Sequence, residues 1–245
     1  MKTIAFILLS AIGMLAAAGT IDPKTPDSKH VAYADGFVYV ARFACREVES
    51  GRKAYASCVV ISPHWVITAA HVVHESKDCE VILGGKAFPL AEVIVHPKFR
   101  HESLGGDDLA LGRSEKDFGL EFYPALYGQG DEVGKVVSLC GYGLTGTFAT
   151  GHTVSDSRRR AGSNTIDSVD TRGALICSAG IGKATELEFL IAPGDSGGGL
   201  FIGNELAGIN AFVMSDRRSP MSRSGDESGH TRISTHREWI NEHVK

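Results

Sequence analysis

The chain has 245 residues, 43% of them hydrophobic, and a formal charge of −4. That is enough apolar material for a buried core in one domain or two small ones. The charge excludes a basic nucleic-acid-binding stripe, and Arg158-Arg159-Arg160 is short enough to read as a solvated strand edge.

The first segment reads as a targeting signal. Lys2 opens it, residues 4–18 are almost continuously apolar, and Ala16-Ala17-Ala18 fits a signal peptidase site. Cleavage after Ala18 would leave Gly19 as the new N-terminus. The run is short for a bilayer span of about 20 residues, which disfavours an uncleaved anchor. No other segment is long and apolar enough to cross.

Export permits disulfides. Five cysteines (Cys45, Cys58, Cys79, Cys140 and Cys177) leave at least one unpaired in a monomer. Cys45 and Cys58 flank a turn at Ser50-Gly51 and are candidates to pair across a hairpin. None has the paired C-x-x-C spacing of a structural zinc site.

Residues 20–35 are polar, contain Pro23 and Pro26, and read as an extended lead-in within a segment 19–36. Short β-rich runs follow at 37–43, 55–61, 64–68, 80–83 and 91–95. A second series covers 135–140, 174–178, 187–192, 199–202, 206–213 and 230–233. Short strands without helical alternation indicate an all-β sandwich or barrel. Residues 114–134 read as the crossing between two halves, set at 37–118 and 119–245. The glycine-rich stretch 141–151 lacks the Gly-Lys ending of a phosphate loop and reads as a flexible surface loop. At the C-terminus, Thr235-His236-Arg237-Glu238 fits a capping box. Trp239, Ile240 and Val244 then share one face of a short terminal helix.

Three runs carry chemistry: Thr68-Ala69-Ala70-His71, Asp108-Leu109-Ala110-Leu111 and Gly194-Asp195-Ser196-Gly197-Gly198. A serine hydroxyl needs a base to take its proton as it attacks, and imidazole suits that task near neutral pH. An aspartate must fix the imidazole tautomer and stabilise the imidazolium. Asp108 is preferred to Asp107 because Leu109-Ala110-Leu111 follows it. Glycines around Ser196 let the Gly194 and Ser196 N–H groups converge on an oxyanion, each worth about 3–4 kcal/mol. The other histidines lack comparable context and read as surface or structural.

These motifs, with Trp65-Val66-Ile67 before the first and Arg232-Ile233 and Trp239-Ile240 near the end, resemble the trypsin/chymotrypsin family of serine endopeptidases. The resemblance runs from about Phe37 to the C-terminus. It implies two antiparallel six-stranded β-barrels with a short C-terminal helix. His71 and Asp108 would come from the first barrel and Ser196 from the second. It implies protein or peptide substrates, no metal or organic cofactor, no nucleic-acid or membrane partner after signal cleavage, and a secreted monomer.

The sequence also departs from the family. Asp195 there pairs with a new N-terminal ammonium, made by cleavage before an Ile-Val-Gly-Gly-like start, and no such start is present. Trimming to Ile21, a basic side chain, or an oxyanion hole formed only with a partner or substrate are the alternatives. Some partner is expected, because an unpaired buried carboxylate costs several kcal/mol. The family's disulfide around the histidine is absent: Val72 follows His71, and Ala56 falls where the second cysteine would be. Leu190, followed by Ile191, stands where trypsin-like members carry an acidic pocket floor, and no buried carboxylate is expected to pair a cationic side chain. Ala211, Phe212 and Val213 align with the pocket wall, so a small or medium apolar residue before the scissile bond is expected. Ala211 also replaces a serine that supports the catalytic aspartate. The rival reading is a protease-fold binding protein with weak or no catalysis.

Overall fold

A computed structural model describes residues 18–101, 106–154, 156–180, 185–216 and 219–244. Of the expected signal segment, only Ala18 falls among them.

In chain order the strands of the first half are β1 (Thr20–Ile21), β2 (Val40–Glu47), β3 (Lys53–Ser62), β4 (Trp65–Thr68), β5 (Ser76–Leu83), β6 (Lys86–Val95) and β7 (Ala110–Ser114). Then come β8 (Ala125–Leu126), β9 (Val136–Gly141), β10 (Thr145–Thr147), β11 (Gly151–Val154), β12 (Arg160–Thr165), β13 (Ser168–Val169) and β14 (Leu175–Ser178). β15 (Phe189–Leu190), β16 (Gly199–Ile202), β17 (Glu205–Met214) and β18 (Glu227–Arg232) complete the strands. The helices are α1 (Asp27–Ala34), α2 (Ala70–Val73) and α3 (Arg237–His243).

Strands β2 to β7 close a barrel in the order β2-β3-β4-β7-β6-β5. Phe43, Ile67, Leu109 and Leu111 fill it and are fully buried, each stabilising the fold by about 1.5–3 kcal/mol. All four residues of β4 are buried. Its Val66 and Ile67 join the barrel core, while Thr68 meets the serine turn from the other half. β7 is not legible in the sequence, because its Ala-Leu-Gly-Arg-Ser run is too short to show a period.

The second half is a curled sheet ordered β12-β9-β16-β17-β18-β14-β13, with β8 paired on β17. Where the resemblance implies a second six-stranded barrel, a lone Ser163–Glu188 bridge and the Asn164 amide donating to the Phe189 carbonyl at 3.0 Å link β12 to the β15 segment. α3 lays Ile240 into the first barrel's core, with Trp239 and Val244 packed beside it.

Several sequence expectations are corrected. The lead-in is structured: Thr20 and Ile21 are buried and form a strand between β10 and β15, and α1 follows. The arginine triplet is fully solvated only at Arg158. Arg160 is 2% exposed and grips Asp27 with two hydrogen bonds at 2.6 and 2.8 Å, while Asp156 accepts two more. That grip seats α1 on β12. The capping box does not form, because α3 starts after His236 without a side-chain cap and the Thr235 hydroxyl donates to the Arg232 carbonyl instead. All five cysteines are free and buried. The β2/β3 register sets Cys45 opposite Ala54 and Cys58 opposite Ala41, which excludes the Cys45–Cys58 pairing.

Candidate active site

His71 sits in the single turn α2, just after β4, and Asp108 just before β7. The β4/β7 ladder pairs Thr68 with Ala110, so it brings the two segments together. The His71 backbone N–H donates to Asp108 Oδ1 at 2.8 Å, and His71 Nδ1 lies 2.6 Å from Oδ2. A carboxylate only accepts, so Nδ1 carries the proton and Nε2 keeps its lone pair as a base. Asp108 is fully buried. Burial works against the His71 imidazolium, but the charge and hydrogen bond of Asp108 outweigh it and hold the pKa above the usual imidazole value. Thr231 on β18 donates its hydroxyl to the Asp108 backbone carbonyl at 3.1 Å. The second half therefore props the acid of the first.

Ser196 lies in the turn between β15 and β16, half-buried. The turn docks on the first barrel. The Ser57 N–H donates to the Ser196 carbonyl at 2.9 Å, and the Ser57 hydroxyl donates to the Gly194 carbonyl at 3.0 Å. Thr68 donates to the Ser57 carbonyl at 2.9 Å. Gly197 has φ +84°, and a Cβ there would overlap Thr68 Oγ1 and the Ser57 carbonyl, so only glycine allows this approach. Among the described residues, the Gly194 and Ser196 N–H groups make no hydrogen bond, and Ser196 Oγ makes none to His71. Apo sites often show such a gap, which closes in the substrate complex.

Asp195 points away from this opening into the protein and is fully buried. Its Oδ1 accepts the Gly143 N–H at 2.7 Å, and Oδ2 accepts the N–H groups of Gly19 and Ala192, both at 2.9 Å. Gly19 has φ +56°, and a Cβ there would fall inside the Phe189 ring. Burial pushes the Asp195 carboxyl up to about 7, against these three amides. The stretch 141–151 is thus no free loop: Gly141 and Gly143 are buried against Asp195, and β10 and β11 pair beyond them.

Of the expected pocket residues, Leu190, Ile191 and Ala211 are buried, while Phe212 and Val213 keep partial exposure. Leu190 packs with Phe148 and Ala179, and Phe212 lies against Gly229 with the Arg172 guanidinium 4.7 Å from its ring centre. Contrary to the sequence expectation, buried carboxylates besides Asp195 lie in this part of the chain: Glu188, 6% exposed, accepting from the Gly180 N–H at 2.8 Å, and Asp226, 1% exposed, accepting from the Ser215 hydroxyl at 2.8 Å and the Arg223 N–H at 2.9 Å.

The sequence matches the profile of the family described as Trypsin over residues 30–240. The chain belongs to the trypsin family. Its fold is similar to that of HL collagenase, at 19% identity and a TM-score of 0.68, covering 85% of this chain and 95% of that one. It is also similar to neuropsin, a serine protease expressed in the limbic system of mouse brain, at 20% identity, TM-score 0.67 and the same coverage. No curated protein sequence matches the chain.

Within this trypsin-family scaffold, sequence reasoning missed Ser57, Thr231 and Gly143, and the contact of Gly19 with Asp195. Each acts through a partner far along the chain, and no local pattern announces it. It also left the histidines undivided, although His30, His96, His230 and His236 are all buried. His230 is held down to about 3 by burial and sits between Ser228 and Asn210 at 2.9 Å each.

Proposed function

We propose that the protein is a secreted serine endopeptidase acting through an acyl-enzyme on Ser196. The supporting observation is the His71–Asp108 pair beside a serine turn whose Gly194 and Ser196 N–H groups are uncommitted. His71 takes the Ser196 proton as the oxygen attacks the peptide carbonyl, and returns it to the leaving amine. The two N–H groups hold the oxyanion, each worth about 3–4 kcal/mol. Water then hydrolyses the ester. Asp108 stays ionised and orients His71.

Activation follows from export. Signal cleavage after Ala18 converts the Gly19 amide into an ammonium at a nitrogen already 2.9 Å from Asp195. The resulting ion pair neutralises the carboxylate beneath the oxyanion turn, so no further propeptide is needed. Trimming to Ile21 would instead remove the Gly19 nitrogen that meets Asp195.

Leu190, Ile191, Ala211, Phe212 and Val213 remain the proposed pocket segment for a small or medium apolar side chain before the scissile bond, with Phe212 and Val213 its partly exposed members. Among the described residues, no helix is long and apolar enough to cross a membrane. The test is a library of fluorogenic peptides with wild type and Ser196→Ala. Cleavage after Ala, Val or Leu by wild type alone is expected. Equal background from both proteins would contradict catalysis and point to a binding role, and cleavage after Lys or Arg would contradict the pocket.

A further inference from the structure

Behind the catalytic aspartate, three residues from separate segments converge. His96 follows β6, Asp107 precedes Asp108, and His236 caps α3. We propose that His96, Asp107 and His236 form a binding site for a divalent transition metal of the zinc class, which staples α3 onto the first barrel.

The donor geometry carries the argument. Asp107 Oδ1 lies 3.1 Å from His236 Nε2 and 3.5 Å from His96 Nδ1, and all three donor atoms fall within 4.8 Å of one another. Tetrahedral zinc with bonds of about 2.0 Å spaces its donors about 3.3 Å apart, which the two Asp107 contacts match, and the two imidazoles draw together on binding. Two imidazoles and one carboxylate match zinc's preference, and exclude calcium and magnesium, which take oxygen ligands.

The proton inventory is the second argument. His236 Nδ1 lies 2.7 Å from the Arg232 carbonyl, which only accepts, so Nδ1 carries the hydrogen. The Thr235 hydroxyl, 3.0 Å from the same nitrogen, already donates to that carbonyl. In neutral His236 the Nε2 lone pair therefore faces the Asp107 carboxylate across 3.1 Å. A cation satisfies that contact, either a metal ion or the proton of an imidazolium, and metal titration tells the two apart. A backbone carbonyl on the remote imidazole nitrogen is the usual orienting partner of a metal-bound histidine.

His96 supplies a third, independent observation. It is 7% exposed, and its Nδ1 is buried without a hydrogen bond while aimed at Asp107. A buried polar atom left unpaired costs about 1–3 kcal/mol, and a metal bond removes that cost. Asp107 is 38% exposed on its side chain, which leaves an entry path and room for a water as fourth ligand.

Trp239 provides the readout. Its ring stands edge-on to His96 with centroids 4.8 Å apart, and the chain has only one other tryptophan, Trp65. The experiment titrates Co²⁺ alone into the chain starting at Gly19, following tryptophan emission and visible absorption, and then adds Zn²⁺. Expected are saturable one-to-one quenching, a cobalt absorption band, reversal by zinc, and a zinc-dependent rise in Tm. His96→Gln and His236→Gln lose the quenching, and Asp107→Asn weakens binding about tenfold or more. His243→Gln keeps it, although His243 lies 5.1 Å from Trp239 on the other side. Absence of saturable quenching, quenching that survives in a folded His96→Gln or Asp107→Asn variant, or quenching lost only in His243→Gln would each overturn the site. Near-UV circular dichroism establishes that each variant is folded.

Discussion

The backbone nitrogen of Gly19 lies 2.9 Å from Asp195 Oδ2, although the two residues are 176 positions apart. Gly19 must be glycine for the chain to pass Phe189. Asp195 immediately precedes Ser196, so the charge state at Gly19 bears directly on the serine turn.

The first prediction compares two N-termini. With an amide at Gly19, burial pushes Asp195 up to about 7. A carboxyl raised above its unfolded value of about 4 favours folding below pH 4, and that contribution is lost as pH rises toward 7. With an ammonium at Gly19, the ionised carboxylate is paired instead. The Tm of the chain starting at Gly19 should therefore exceed that of a chain keeping one extra residue by a margin that widens between pH 4 and 7. Thermal melts of both forms across that range are the check, and a constant margin would contradict it.

The same ion pair sets an alkaline limit. A paired ammonium gives stability that is present while it is protonated and lost as pH rises through its folded pKa. The kcat/KM of the mature protein should fall reversibly above that value. Asp195→Asn should lose activity about 100-fold or more, by loss of oxyanion support.

His71 governs the acid limb. Its pKa is raised despite burial, through Asp108. The base must be neutral, so kcat/KM should rise with a midpoint above about 6.5. Asp108→Asn should lower kcat by about 10⁴-fold, the scale for a triad left with the wrong tautomer. A pH–rate profile with an unshifted midpoint would contradict the pairing.

Arg160 tests how the N-terminal segment is held. Its side chain is 3% exposed between Asp27 and Asp156, both of which keep some solvent. Arg160→Leu should cost about 1.5–3 kcal/mol and loosen α1. Fluorophosphonate labelling of Ser196 should slow with it, since β1 and Gly19 lead into α1. Unchanged stability in urea denaturation would contradict this role.

The cysteines give a covalent prediction. Burial raises all five thiols, Cys79 to about 12. Iodoacetamide at neutral pH should leave the native protein unmodified and add five groups in denaturant. Reducing agents should not change Tm. A mass deficit from a disulfide would contradict the free thiols.

The β architecture was readable because the first barrel's strands are short, apolar and separated by turn residues. The histidine, aspartate and serine runs were readable because each packs its chemistry into five consecutive residues or fewer. What escaped were the long-range partners. Thr20 pairs with Gly146 and Leu190, and Arg160 pairs with Asp27 across 133 positions, so a polar, proline-containing segment became a strand and a helix through tertiary contacts alone. The metal-type cluster escaped for the same reason, since His96, Asp107 and His236 share no local spacing.

The most direct measurement is the intact mass of the secreted protein with and without a fluorophosphonate probe. The account predicts a chain beginning at Gly19 that gains one adduct, and a Ser196→Ala variant that gains none. A chain beginning at Gly19 with no adduct, or an adduct that persists in Ser196→Ala, would contradict an activated Ser196 formed by cleavage after Ala18.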